Sequence, residues 1–377
     1  MKRIIHIREE TVVKLITMKR SLAGVSALGA MALVLSGCAA APEETAAPEE
    51  ETEAATEEVV ETVDFTACAG SGTGGWNDNS FNQSVLTGLE RAEAELGISV
   101  ITAENQTLDD FEPNMEELLA ADCDLIFAVS FDYSTALANA SADNPEKSFV
   151  TIDGYVEADN VKVVDYAMEE SSYLAGYLAA AYSESKIVGT WGGVQIEVLV
   201  PFMSGFYYGA KAWGEENGQD VTVIGWNPET GNGDFTGSWT DSSIAKTISL
   251  AQLEAGVDVM FPVAGGLFAA AAEAISETGS DAVILGVDAD VALTSPQFAD
   301  VVLTSVEKRM SNAVYDIISG NLESGSFDAS GYTGTLANGG TGLSSFYEFD
   351  AMVDDAVKAR LAEIEAEIIA GTVVPLP

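Results

Sequence analysis

The sequence predicts an α/β protein made of two similar parallel-sheet lobes joined by a hinge, with a cleft between them. From residue 64 onward, short apolar runs alternate with amphipathic stretches of 12–18 residues, which is the pattern of βαβ units. The apolar runs form two series of five, and the series changes near residues 167–186. Because a sequence of about 310 residues is long for one domain, this pattern favours two lobes.

The strand candidates are the short apolar runs, taken in chain order. The first series is Phe65–Ala69, Ser99–Ala103, Leu125–Val129, Ser148–Ile152 and Val161–Tyr166. The second series is Ile187–Trp191, Val221–Gly225, Val257–Val263, Ala282–Val287 and Val301–Val306.

The helix candidates are the amphipathic stretches between these runs, where apolar residues recur at helical spacing. They are Phe81–Leu96, Phe111–Ala121, Ser134–Ser141, Ser172–Ser185, Pro201–Asn217, Asp241–Ala255, Leu267–Thr278, Arg309–Ser319 and, last, Asp354–Ala370. We assign residues 64–167 and about 290–345 to lobe 1. Residues from about 168 to 289 and from about 346 to 377 are assigned to lobe 2.

The first 37 residues predict a bacterial lipoprotein signal peptide. A cationic start at Met18-Lys19-Arg20 precedes the uncharged apolar run Leu22–Leu35, which is shorter than the ~20 residues needed to span a bilayer. Leu35-Ser36-Gly37-Cys38 then places a cysteine after small residues, as at a lipoprotein cleavage site. We expect translation to start at Met18, and acylated Cys38 to anchor the mature protein to the cell membrane on its extracytoplasmic face.

The segment after the signal is strongly acidic. Residues 39–63 contain nine Glu and neither Lys nor Arg, so no core can form and like charges keep the chain extended. With Cys38, this segment (38–63) is expected to be a disordered tether. The signal holds six of the 16 basic and two of the 60 acidic residues, so the mature net charge is near −48. Such a surface repels nucleic acid and anionic lipid headgroups, and neither is an expected partner.

The histidine and cysteine content limits the catalytic and metal-binding sites that the mature protein can form. His6 is the one histidine of the sequence and lies in the signal, so the mature protein has no Ser–His or Cys–His pair and no imidazole metal ligand. We expect a monomer that is not an enzyme and holds neither metal nor cofactor. Cys68 and Cys123 lie in apolar, strand-like segments. Two buried thiols are expected there, with a disulfide as the alternative.

Ligands of open parallel sheets bind beyond the carboxyl ends of the strands, and the first strand candidate is followed by the glycine-rich loop Gly70–Gly75. Glycines let the backbone approach a ligand, and the next helix presents free N–H groups. Asn77 or Asp78 caps that helix or contacts a ligand. Phe81, in its first turn, belongs to the core or offers its face to a planar ligand. A dinucleotide loop is disfavoured, because no acidic residue clearly ends the second strand.

The second series also carries polar or small residues after its strands. Ala264-Gly265-Gly266 follows one strand, and Asp288 lies directly beyond the next. A carboxylate can accept two hydrogen bonds from the vicinal diol of a sugar, although capping or a hinge contact is the alternative. Lys308 follows the next strand, where it serves as a ligand donor or pairs with a carboxylate. Most rings of the aromatic-rich helix start Pro201–Gly209 are expected in the core.

Seven short motifs follow one another along residues 64–377. They are Gly74-Gly75 with Asp78-x-Ser80-Phe81-Asn82-Gln83, Ile152-Asp153-Gly154, Leu174-Ala175-Gly176, Gly205-Phe206-x-x-Gly209, Val263-Ala264-Gly265-Gly266, Gly286-Val287-Asp288-x-Asp290 and Leu303-Thr304-Ser305-x-x-Lys308-Arg309. Each alone is weak, but in this order the set resembles the basic membrane protein (PnrA-like) family of solute-binding lipoproteins of ABC transporters.

The resemblance implies a type I periplasmic-binding-protein fold, with two Rossmann-like lobes, and a nucleoside ligand in the cleft for delivery to an ABC permease. In nucleoside-binding members two phenylalanines sandwich the base, and these fall on Phe81 and Phe206. The ribose is held by an aspartate, glycine-loop amides and a lysine. These correspond to Asp288, Gly265, Gly266 and Lys308.

The first loop matches the family at Asp78 and Asn82, which we include among the expected ligand contacts, but it departs at one position. The family's first strand commonly ends in an aspartate that hydrogen-bonds the base, and Gly72 stands there in this chain. Asp132, after the third strand, could supply a replacement acceptor. A purine nucleoside is favoured, with a pyrimidine nucleoside or another ribosyl compound as alternatives.

Three functions fit these features to different degrees. The first is a nucleoside receptor of an ABC importer. The second is a receptor or sensor of the same fold for a sugar or other ribosyl compound, which would pass its closed state to a signalling partner. The third is a secreted nucleosidase or glycosidase using paired carboxylates. Asp288 and Asp290, two residues apart in the sequence, are the carboxylates considered for such a pair.

Overall fold

The computed structural model describes residues 62–377. The predicted signal peptide, Cys38 and the tether up to residue 61 lie outside the described residues. Within residues 62–377, no helix is both long and apolar enough to cross a membrane.

The first lobe is built on a six-stranded, all-parallel sheet. Its strands are β1 (Thr66–Thr73), β2 (Ser99–Asn105), β3 (Leu125–Val129), β4 (Ser148–Ile152), β5 (Val161–Tyr166) and, much later in the chain, β13 (Tyr332–Gly334). They lie in the order β13-β5-β4-β3-β1-β2. The helices of this lobe are α1 (Phe81–Leu96), α2 (Phe111–Ala120), α3 (Ser134–Asp143) and α9 (Met310–Ser324), of which α9 packs against α1.

The second lobe is built on a sheet of the same size. Its strands are β6 (Ile187–Gly192), β7 (Thr222–Ile224), β10 (Val259–Val263), β11 (Val283–Asp288), β12 (Val302–Lys308) and β14 (Thr341–Leu343), in the order β14-β12-β11-β10-β6-β7. Only β14 is antiparallel to its neighbour. A small hairpin joins β8 (Trp226–Asn227) to β9 (Asn232–Gly233). The helices are α4 (Met168–Tyr182), α5 (Leu199–Asn217), α6 (Ser242–Glu254), α7 (Phe268–Thr278), α8 (Val291–Thr294) and α10 (Asp355–Ile369).

This architecture confirms the predicted α/β fold. Every predicted strand and helix is present, with ends that agree to within about five residues. Central strands such as β3 and β10 are buried at every residue. Since helices cover both faces of a parallel sheet, such strands read as continuous apolar runs, and this explains why they were visible in the sequence.

The predicted partition between the lobes is wrong for part of the chain. Residues 290–345 were assigned to lobe 1, but β12 pairs with β11 in the second sheet, and β14 pairs with β12. Residues 290–308 and 341–345 therefore belong with lobe 2, and only the segment with α9 and β13 returns to lobe 1. Strand order depends on contacts between distant residues, which the periodicity of the sequence does not contain.

Three crossings connect the lobes and lie side by side. They run between β5 and α4, between β12 and α9, and between β13 and β14. The backbone N–H of Ala167 donates to Gly334 O, and that of Arg309 donates to Gly340 O, both at 2.9 Å. Ser171 on α4 hydrogen-bonds the hydroxyl of Thr341. The three crossings thus form one hydrogen-bonded hinge.

Cys68 and Cys123 form a disulfide rather than the expected pair of free thiols. Cys68 lies within β1 and Cys123 just before β3, and their Cα atoms are 5.9 Å apart, inside the range that a disulfide requires. The reason is again strand order, because β3 is the immediate neighbour of β1 although β2 lies between them in the sequence. The bridge ties together the two strands whose ends carry residues 72–74 and 130–132.

Two of the seven motifs belong to helix packing. Helices α4 and α5 pack closely, and a Cβ on Gly176 would lie 2.0 Å from the carbonyl oxygen of Phe206. A Cβ on Gly209 would lie 2.0 Å from the carbonyl oxygen of Tyr173. Only glycine allows backbones to approach so closely, so these motifs set the position of α5 on α4.

Candidate functional site

A cavity of about 320 Å³ lies between the lobes, at the carboxyl ends of both sheets. This volume is at the lower end of the ~300–1,000 Å³ typical of small-molecule sites. Both lobes contribute to its wall. The lining residues include Gly72, Thr73, Asp78, Phe81, Asn82, Ser130, Phe131, Asp132 and Asp153 from lobe 1, and Phe202, Trp239, Thr240, Gly265, Gly266, Asp288 and Lys308 from lobe 2.

Eight of the nine expected ligand-binding residues line this cavity, and Phe206 does not. Phe206 is fully buried and packs against Phe261, with ring centroids 5.5 Å apart. The reason is the neighbouring glycines, which turn this part of α5 onto α4 and leave Phe206 in the core. One helical turn earlier, Phe202 reaches the cavity. Of these two phenylalanines of α5, the structure therefore places Phe202 in the cavity wall and Phe206, contrary to the expectation, in the core.

Asp78 lines the cavity but uses its carboxylate to cap α1. Its oxygens accept hydrogen bonds from the backbone N–H groups of Ser80 (3.0 Å), Asn82 (2.8 Å) and Gln83 (2.9 Å). These bonds lower the pKa of Asp78, but burial raises it by more. The first turn of α1 therefore already holds a carboxylate and offers little to a second anion.

Lys308 is almost completely buried and forms an ion pair with Asp153, across the boundary between the lobes. Its ammonium also lies 5.2–5.5 Å from the ring centroids of Phe81, Tyr166 and Phe202. Oδ1 of Asp153 is buried without a hydrogen-bond partner among the described residues. An acceptor left open in the wall of a cavity is suited to a ligand donor.

Asp288 lies on lobe 2, like Lys308, at the end of β11. Its Oδ2 is 3.2 Å from the hydroxyl of Ser80, and Oδ1 accepts no hydrogen bond from the described residues. Burial raises the pKa of Asp288 to about 7; Lys308 lowers it, while Asp153 and Asp78 raise it further. The site therefore holds a carboxyl group that titrates near neutrality.

Three of the polar residues at strand ends have a positive φ angle, a backbone conformation that residues other than glycine seldom adopt. The φ angles are +66° at Asp288, +56° at Asp153 and +89° at Ser130. Such strain costs about 1–3 kcal/mol and is characteristic of functional sites. All three residues line the cavity.

The lobes meet directly at the rim of the cavity. The hydroxyl of Thr294 donates to Asn79 O (2.8 Å), and that of Ser80 is 2.9 Å from Val287 O. A Cβ on Gly266 would lie 2.7 Å from the carbonyl oxygen of Asp78, so a larger residue would hold the lobes apart. The described conformation is therefore a closed one.

The sequence matches a family model described as "ABC transporter substrate-binding protein PnrA-like" over residues 71–376. The chain belongs to this family, abbreviated Bmp. It is thus the solute-binding protein of an ABC transporter, which confirms both the resemblance and the prediction that the protein is not an enzyme.

Relatives of known name agree with this assignment. Basic membrane protein A of Borreliella burgdorferi is 25% identical over 82% of this chain and 91% of its own length. The ABC transporter nucleoside-binding protein BmpA of Lactococcus lactis is 27% identical over 81% of this chain and 89% of its own. Among solved structures, an ABC transporter solute-binding protein from Aeropyrum pernix K1 superimposes with a TM-score of 0.72 and 26% identity, covering 82% and 92% of the two chains.

The site of this Bmp-family protein includes residues that sequence reasoning missed. Asp153 stands directly after a strand in the motif Ile152-Asp153-Gly154, so its position was a usable signal. Trp239 lies in the irregular segment between β9 and α6 and packs over Gly193. Nothing in the local pattern marked it as a cavity residue.

The correction at α5 gives a testable contrast. Phe202→Leu is expected to weaken ligand binding about 5- to 10-fold, because an aromatic face is lost from the cavity. Phe206→Leu is expected to lower the free energy of unfolding by about 1 kcal/mol and leave affinity unchanged. Calorimetric titration and urea denaturation of both variants measure these effects, and the reverse pattern would restore Phe206 as the ligand contact.

Proposed function

We propose that this protein binds a nucleoside in the cavity between its lobes and delivers it to an ABC permease, from a lipid anchor at Cys38 on the extracytoplasmic face of the membrane. The observation that carries the ligand assignment is Asp288, a buried carboxylate with a free oxygen beside Lys308 and several aromatic rings. Signal, tether and anchor follow from the sequence of residues 1–63.

The polar part of the cavity suits a ribose. A carboxylate accepts two O–H donors from a vicinal diol, and the free oxygens of Asp288 and Asp153 are both acceptors. The ammonium of Lys308 can donate to a sugar oxygen. Because these groups come from both lobes, a sugar held between them stabilises the closed form.

The aromatic part suits a base. Phe81, Phe202 and Trp239 line the same cavity, and ring faces bind planar heterocycles at small entropic cost. The name of the Lactococcus lactis relative, a nucleoside-binding protein, supports this assignment.

The charge of the cavity favours an unphosphorylated ligand. Four carboxyl groups line it, whereas Lys308 is the one cationic side chain among its described lining residues and is already paired. A phosphate would meet repulsion and the occupied N-terminus of α1. We therefore assign the nucleoside, rather than its 5′-phosphate, as the ligand.

The experiment that tests this function has two steps. Small molecules released on denaturing the purified protein are identified by mass spectrometry, and the refolded protein is titrated calorimetrically with nucleosides, free ribose and a nucleoside 5′-monophosphate. Tight binding of a nucleoside and weak binding of its monophosphate are expected. Binding of ribose or another sugar without any nucleoside would overturn the proposal and favour a sugar receptor of the same fold.

Nucleoside affinity is expected to rise with pH through about 7. Only the ionised form of Asp288 accepts both hydroxyl donors, so affinity falls about tenfold per pH unit below its pKa.

The stability of the ligand-free protein is expected to change with pH in the opposite sense. A folded pKa raised from 3.8 to about 7 contributes stability that is present below the unfolded value and lost as pH rises through 7. Calorimetry and thermal melting from about pH 5.5 to about pH 8.5 measure both trends; Asp288→Asn is expected to remove them.

A further inference from the structure

Asp132 forms a polar cluster of its own in the cavity. Its neighbours are the hydroxyls of Thr73 and Ser130, and burial raises its pKa while these two hydroxyls lower it. The charges that act most strongly on Asp288 are instead those of Lys308, Asp153 and Asp78. The cavity therefore has two polar clusters, of which only the one around Lys308 contains a cation.

The Asp132 carboxylate is held in one orientation. Thr73 donates to Oδ2 at 3.0 Å and Ser130 approaches the same oxygen at 3.4 Å. Oδ1 has no hydrogen-bond partner among the described residues. Because both protein donors converge on one oxygen, the other is presented as a fixed acceptor.

The turn that carries Asp132 is built to keep this position. Ser130 holds a strained φ of +89°, and its hydroxyl is 3.3 Å from the backbone N–H of Asp132. The next residue, Tyr133, is fully buried, accepts a hydrogen bond from Asn105 at 2.7 Å and packs edge-on against Phe111. The carboxylate thus rests on a rigid support, as a group that determines specificity requires.

The end of the neighbouring strand β1 places no side-chain acceptor beside Asp132. Gly72 contributes no side chain, and its backbone N–H is already used by Oδ1 of Asn82 at 2.7 Å. Asp132 is therefore the negatively charged acceptor offered to a ligand in this part of the wall.

We propose that Asp132 selects nucleosides whose base presents a ring N–H donor, as inosine, guanosine and uridine do, over those with only a ring-nitrogen acceptor there, as in adenosine. The inference rests on the proposed function, in which the ribose occupies the cluster around Asp288 and Lys308. The base edge then faces Thr73, Ser130 and Asp132. The ionised carboxylate of Asp132 can only accept hydrogen bonds. It therefore pairs with a ring N–H of the base and repels the lone pair of an unprotonated ring nitrogen.

The test compares inosine, 1-methylinosine and adenosine with the wild-type protein and with Asp132→Asn. The wild type is expected to bind inosine about 10- to 100-fold more tightly than either other ligand, the range of one hydrogen bond to a charged group. In the variant, Thr73 and Ser130 hold the amide oxygen, so the amide nitrogen faces the ligand. The preference for inosine over adenosine is then expected to disappear or reverse.

Asp143→Asn is the matched control, since it makes the same charge change at an exposed position on α3. It is expected to leave the ligand ratios unchanged. Thermal melting shows whether Asp132→Asn is folded; if it is not, the wild-type comparison of inosine with 1-methylinosine decides alone, and equal affinities overturn the inference.

The outcomes separate the two proposals. If nucleosides bind but the ratio of inosine to adenosine affinity is the same in Asp132→Asn and the wild type, the role of Asp132 is overturned and the nucleoside assignment stands. If the wild type binds no nucleoside, the proposed function fails and this inference fails with it.

Discussion

Replacing Asp288 with alanine is expected to lower nucleoside affinity by about 100- to 10,000-fold. The variant loses two charge-assisted hydrogen bonds to the ribose, each worth about 1.5–3 kcal/mol. The fold is expected to persist, because a buried carboxyl group whose pKa lies near 7 contributes little to stability at neutral pH. Calorimetric titration with nucleosides and a urea melt measure the two effects.

Asp290→Ala is the matched control for this variant. Asp290 lies two residues further along, outside the cavity, and accepts a hydrogen bond from Tyr347. Its loss is expected to leave affinity within about twofold of the wild type. Asp288→Asn keeps a side chain that tolerates φ of +66° and shows whether backbone strain contributes to the loss. Wild-type affinity in Asp288→Ala would remove Asp288 from the ribose site.

Lys308→Met is expected to lower the free energy of unfolding by about 3–5 kcal/mol, because Asp153 is left buried without its partner. Methionine nearly preserves the volume of lysine and its packing against the rings of Phe81, Tyr166 and Phe202. The expected loss of stability is therefore due to the missing positive charge of Lys308 and not to a change in packing. Adding Asp153→Asn to Lys308→Met is expected to recover most of the stability, since no uncompensated carboxylate remains.

Lys147→Met provides the comparison on the surface. Lys147 pairs with Asp122, whose side chain is 94% exposed, and the loss of such a pair costs at most about 1 kcal/mol. Urea denaturation of the wild type and these three variants measures the free energies of unfolding to be compared. Equal losses in Lys308→Met and Lys147→Met would show that the buried pair contributes no more than an exposed one.

The elements of this fold could be predicted from the sequence, because each depends on a local pattern. β3 and β10 are buried along their whole length and so read as unbroken apolar runs. The assignment of β12 to a lobe could not be predicted in this way. Its partner, β11, and its later neighbour, β14, are specified by contacts between distant segments. The disulfide was uncertain for the same reason.

The candidate site could be predicted where its residues lie at the end of a predicted strand or in the loop that follows it. Asp288, Lys308 and the loop around Asp78 and Phe81 were found by that rule, and all line the cavity. The choice between Phe202 and Phe206 depends on how α5 rests on α4. That packing is fixed by the close backbone contacts at Gly176 and Gly209, which a motif match does not distinguish from ligand contacts.

The three crossings of the hinge also determine when the molecule can fold. Lobe 1 takes its covering helix α9 and its edge strand β13 from residues 310–334, long after β5 has ended at Tyr166. A chain released at residue 166 would expose the face of α1 and the edge of β5, and uncovered edges promote aggregation. Neither lobe can therefore be completed during early synthesis. Folding must wait until nearly the whole chain is present, when the pairing of distant segments sets its rate.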